Sequence, residues 1–153
     1  MSTGKGLGAR LRALFGRRSE PLDAARDDLV VVVSSFDDAE ACSTALERGS
    51  GAEPRWDPEG ETVLRHHLSL PAEGVDRAAE LAAQDGYTVA VTDRLPEEVA
   101  AAAEGRAALT LQRVQVLDAL HCAQEKSRMA SLAQRLGGTA LGWDALQPPQ
   151  SAD

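Results

Sequence analysis

The segment from Thr62 to Leu70 constrains this chain most: Thr62, Leu64, His66, Leu68 and Leu70 alternate with Val63, Arg65, His67 and Ser69. A period of two belongs to a strand, and here it predicts a strand with one buried face, the one carrying the leucines. Pro71 ends it. Val75, Ala78, Ala79, Leu81 and Ala82 then share one helical face over 75–84, closed by Gly86, and Tyr87–Thr92 (YTVAVT) predicts a second strand.

The same alternation of elements recurs downstream. Leu95–Gly105 predicts a short surface helix, with Pro96 at its first position and two acids behind it. Ala108–Leu117 (ALTLQRVQVL) predicts a strand whose apolar positions change parity after Leu111, which a bulge near Gln112 and Arg113 would explain. Asp118 is placed to cap a long helix to Leu136, with Ala119, Cys122, Met129, Ala133 and Leu136 inward and Gly137–Gly138 at its end. Thr139–Trp143 predicts a last short strand. From Thr62 the principal elements run strand, helix, strand, strand, helix, strand, so the expected fold is α+β: a ferredoxin-like antiparallel sheet with its helices on one face.

Upstream, Leu29–Val33 is a continuous apolar run of the kind that strands covered on both faces show. Asp37 is a candidate cap and Phe36 a candidate staple for a helix using Ala41, Ala45 and Leu46, which Gly49 would stop; residues 50–61 read as loop. This strand-helix unit adds to the sheet at its edge or packs against it. The expected organisation is a basic arm and linker over 1–28, one domain over 29–146 and a disordered tail over 147–153.

Length supports one domain: 153 residues build one hydrophobic core more readily than two. Charge is unevenly spread. Residues 1–18 hold Lys5, Arg10, Arg12, Arg17 and Arg18 and no acid, which leaves 11 basic against 24 acidic residues, a balance of −13, in the rest. Such a body repels nucleic-acid phosphates and favours a basic protein partner, so direct nucleic-acid binding by it is not expected. The arm spaces Leu7, Leu11, Leu14 and Phe15 as one stripe of a basic amphipathic helix. It reads as a weak membrane-surface anchor, a contact for RNA or acidic protein, a clip back onto the acidic body, or a frayed end. Two cysteines, no apolar run of membrane-spanning length and no secretory apolar core point to a reducing compartment, the cytoplasm.

Candidate chemistry is sparse. His66 and His67, as neighbours on a strand, point to opposite faces and cannot chelate one metal together. His121 and Cys122 diverge around a helix, and Cys122 lies on the inward stripe. No phosphate-binding glycine loop and no nucleophile elbow is present, and Gly137–Gly138 closes a helix instead of opening one. No catalytic residue, cofactor or metal is therefore assigned. The segment Gln124–Arg128 reads as a solvated outer face with a Glu125–Arg128 surface pair. Trp143 and Asp144, after a glycine at a strand end, are the candidate protein-binding residues; the competing reading makes Trp143 a lid on the core.

The run VLRHHLSLPAEGVDRAAELAAQDGYTVAVTD, the connector RLPEE, the helix ending MASLAQRLGG and the later Gly142-Trp143 together resemble the regulator of ribonuclease activity B (RraB) family over about 62–144. The resemblance implies a ferredoxin-like, non-catalytic protein that binds an RNase E/G type endoribonuclease and inhibits or redirects its cutting of RNA. A small-molecule-sensing or dimerising domain of the same fold is the alternative.

Overall fold

The computed structural model describes residues 21–91, 96–102 and 105–150. The arm over 1–18, the predicted strand end at Thr92 and the predicted helix start at Leu95 lie outside them.

Among the described residues five strands, β1 (Val30–Ser35), β2 (Glu61–Leu70), β3 (Thr88–Val89), β4 (Ala107–Val116) and β5 (Thr139–Gln147), form one antiparallel sheet in the order β1-β5-β2-β4-β3. The helices are α1 (Cys42–Ser50), α2 (Val75–Ala83), α3 (Glu97–Ala102) and α4 (Ala119–Arg135). From β2 onward, the order β5-β2-β4-β3 is the ferredoxin-like arrangement, in which each strand-helix-strand half leaves a gap that a strand of the other half fills. The N-terminal β1 adds an edge strand beside β5, with α1 packed on it. The domain's last strand extends through Gln147, whose side chain is buried and hydrogen-bonded to the backbone of Asp57.

Two apolar clusters lie between the sheet and α1, α2 and α4. Val33, Ala45, Leu46, Leu64, Cys122 and Trp143 build one. Leu68, Leu70, Ala82, Tyr87, Leu111 and Met129 build the other. Asp118 caps α4 as its position predicts, accepting the His121 N–H at 2.7 Å.

Several expectations need correction. The central strand β2 is buried on both faces, because α4 packs on one and α3 on the other while β4 and β5 cover its edges; Val63, His67 and Ser69 are as enclosed as the leucines. For the same reason α3 is not merely a surface helix: its Val99 is fully buried. The register between β2 and β4 is unbroken from Glu61↔Val116 to Leu70↔Ala107, so no bulge lies at Gln112 and Arg113. The parity change reflects chemistry: position 113, on the helix side, is an arginine laid over the Tyr87 ring. The irregularities fall instead in β1 between Val31 and Val33 and in β5 opposite His67 and Leu68. Helix α1 begins after Ala41, since Asp37 is spent on a turn that accepts the Ala39 and Glu40 N–H groups. Gly49 does not stop that helix; it is buried where a Cβ would meet Val33 Cγ2 at 2.6 Å, and Gly51 is the cap.

Candidate functional site

Strand geometry sends His66 and His67 to opposite faces of β2, and each becomes the centre of a different environment. The extra residue in β5, Leu141, sets their neighbours: Trp143 pairs with His66 on the helix side and Asp144 pairs with Arg65 on the other.

On the α3 side, Arg65, His67, Thr110 and Asp144 form one closed hydrogen-bond cluster. Arg65 Nε and Nη2 donate to the two Asp144 oxygens at 2.6 and 2.7 Å. His67 Nε2 lies 3.0 Å from Asp144 Oδ2, and its Nδ1 lies 2.9 Å from Thr110 Oγ1. With Nε2–H donating to the carboxylate, Nδ1 accepts from the threonine hydroxyl, and both ring nitrogens are satisfied. Burial alone would raise the Asp144 carboxyl, but hydrogen bonds from Arg65 and His67 hold it below its ordinary value. Phe36 stacks on the His67 ring at 5.8 Å. Gly142 makes room for that ring, since a Cβ there would run into the Phe36 ring and the Ser35 carbonyl.

On the helix side, His66 is buried and meets the Tyr87 ring edge-on at 5.8 Å. Burial pushes its pKa down to about 3, so the ring is neutral. Tyr87 donates to Glu125 at 2.7 Å, and that carboxylate also meets Arg128 at 3.2 Å and Arg113 at 3.4 Å. Burial first, then the Glu125 contact, raises the Tyr87 phenol. The Glu125–Arg128 pair is present, but Glu125 is buried and not part of a solvated face.

Neither residue expected to touch a partner lies at the surface: Trp143 is 2% exposed and Asp144 1%. Trp143 is a lid on the core, and Asp144 is the anchor of the Arg65 cluster. His121 is exposed and paired with Asp118, turned away from the buried Cys122. Burial, and then the neighbouring Cys42, raise the Cys122 thiol, which suits a core cysteine. Among the described residues no group of three or more His, Cys, Asp or Glu side chains is arranged to hold a metal, and no helix is long and apolar enough to cross a membrane.

A family model described as Regulator of ribonuclease activity B matches residues 52–145. The chain belongs to this family. No curated protein and no solved structure matches it. The RraB match takes in β2 to β5 as far as Ala145, and with them Arg65, both strand histidines, Thr110, Glu125, Trp143 and Asp144. Phe36, which closes the cluster over His67, and helix α1 lie outside the match.

Arg65 and Thr110 were missed as site residues in the sequence. Arg65 shares its strand face with His67, a usable signal, but its carboxylate partner is 79 residues away and only the strand order brings it near.

Proposed function

We propose that this protein regulates an RNase E type endoribonuclease in the cytoplasm by binding it, inhibiting or redirecting its cutting of RNA without catalysing a reaction itself. Membership of the RraB family carries this reading. The state of the polar cluster supports it: both Asp144 oxygens and both His67 nitrogens are engaged internally, so this cluster offers neither group as a general acid or base. Trp143 and Asp144 enter the proposal as residues that shape the contact surface from beneath. With a balance of −13 over residues 19–153, the body suits a basic region of the ribonuclease.

The test mixes the purified full chain with an RNase E type ribonuclease and a labelled RNA. Cleavage should slow or shift its sites, and the complex should weaken as salt shortens the Debye length to about 8 Å at physiological ionic strength. An unchanged cleavage rate and pattern, with no complex even at low salt, would sink the proposal.

A further inference from the structure

A cleft of about 450 Å³ opens between α1 and α4 above β5. Exposed Ala123, Ser127 and Ala130, spaced on one face of α4, give it room, and Met129 and Trp143 contribute to its apolar lining. Small residues on an exposed helix face are common, but the lining of this cleft is not. It includes His66, 2% exposed, whose Nε2 has no hydrogen-bond partner among the described residues. A buried imidazole nitrogen left unpaired is costly; Nε2 itself is enclosed, and a small turn of the ring would bring it to a group entering from the cleft.

An aliphatic or phenyl group would fill these walls and leave Nε2 unpaired. A wholly polar group would waste the walls. A side chain with an apolar body and a hydrogen-bonding tip does neither, which describes tryptophan and tyrosine. The rim adds a charge preference. Arg48 occupies Glu40, and Lys126 is held by the Asp38 and Glu40 carbonyls, but among the described residues no side-chain cation pairs with Asp37 or Asp38.

We propose that this cleft docks a basic segment of a protein partner that inserts one tryptophan or tyrosine, its polar tip meeting His66 and its flanking Lys or Arg meeting Asp37 and Asp38. The inference deepens the reading above and rests on it for the identity of the partner, not for the cleft. Helix α1, Asp37 and Asp38 lie outside the family match, whereas α4, His66 and Trp143 lie within it.

Three synthetic peptides of lysine and arginine, with a central tryptophan, phenylalanine or alanine, test it by calorimetry and by NMR of the isotope-labelled full chain. The tryptophan peptide should bind about tenfold tighter than the phenylalanine peptide, with the alanine peptide weakest, and should shift the Ala123, Ser127 and Ala130 resonances. Ala130→Phe, at an exposed position, should fill the cleft and weaken binding about tenfold with its unfolding midpoint kept, while Ala83→Phe on α2 changes nothing. Asp37→Lys with Asp38→Lys should weaken all three peptides.

Equal binding of the tryptophan and alanine peptides, or shifts elsewhere, overturns the inference. So does a gain of about tenfold in peptide affinity on Leu11→Asp with Phe15→Asp, since the cleft would then belong to the chain's own arm. If the ribonuclease binds the wild type and Ala130→Phe equally, the cleft is refuted and the proposed function stands. If the peptides behave as expected and the ribonuclease does not bind, the cleft stands and the proposed partner falls.

Discussion

Removing the Asp144 carboxylate should destabilise the protein severely without touching its surface. In Asp144→Ala three charge-assisted hydrogen bonds disappear together, from Arg65 at 2.6 and 2.7 Å and from His67 at 3.0 Å. Their donors stay largely out of water, since the Arg65 side chain is only 13% exposed and the His67 side chain is fully enclosed. Breaking one partner of a buried ion pair costs about 3–5 kcal/mol, mostly because the other charge is left uncompensated. For a chain of this size each kcal/mol lowers the unfolding midpoint by about 2–4 °C, so the fall should be roughly 6–20 °C. Thermal unfolding followed by tryptophan fluorescence measures it. The double variant Arg65→Met with Asp144→Leu should recover much of the loss, because no charge is then stranded. If Asp144→Ala costs less than about 3 °C, or if the double variant is worse than the sum of its singles, the cluster is solvated and the argument fails.

Other outcomes follow from the same coordinates. As pH falls from 6.5 toward about 3, the wild type should lose stability because folded His66 resists a proton that the unfolded chain accepts; His66→Leu should flatten that limb, and an unchanged slope would count against burial as the cause. Asp144, with its carboxyl held below the usual value, should add a separate loss below about pH 4, absent in Asp144→Ala. Cys42 and Cys122 should react with a thiol reagent only after unfolding; fast labelling of the native protein at neutral pH would contradict their burial. Gly142→Ala should cost about 1–3 kcal/mol by driving a methyl into the Phe36 ring and the Ser35 carbonyl, and a midpoint equal to wild type would show that both give way freely.

The fold was largely legible because its main elements carry strong local signals. The alternation over Thr62–Leu70 set β2, and Asp118 before an apolar stripe set the start of α4, which begins at Ala119. Their sequence order then selected the ferredoxin-like topology. Signals that depend on a distant partner failed. Val63, Arg65, His67 and Ser69 read as an outward face because two of them are strongly polar, and nothing local says that Thr110 and Asp144 will satisfy them across 43 and 77 residues. Glu125 read as solvated because Arg128 offered a sufficient partner nearby, whereas the tyrosine that draws it inward is 38 residues away. Asp37 followed the rule for a cap but found a turn to stabilise first, and α1 starts after Ala41 without a side-chain cap.

Trp143 and Asp144 show how one irregular residue divides structural roles between neighbours. With Leu141 unpaired, β5 turns Trp143 toward the helices and Asp144 toward Arg65. If Leu141 instead paired regularly opposite His67, the parity would reverse from Gly142 onward, putting the indole among polar groups and the carboxylate in the apolar core. Each placement depends on the other being right, since the two side chains share one backbone turn of the strand. On the polar side both Asp144 oxygens and both His67 nitrogens are engaged internally, and the cluster serves to fix the register. The helix side keeps a neutral imidazole with a free nitrogen beside an open cleft. Recognition is therefore better sought on the helix side, where an imidazole nitrogen beside a cleft remains unspent, than at the cluster, where the Asp144 oxygens and His67 nitrogens are engaged.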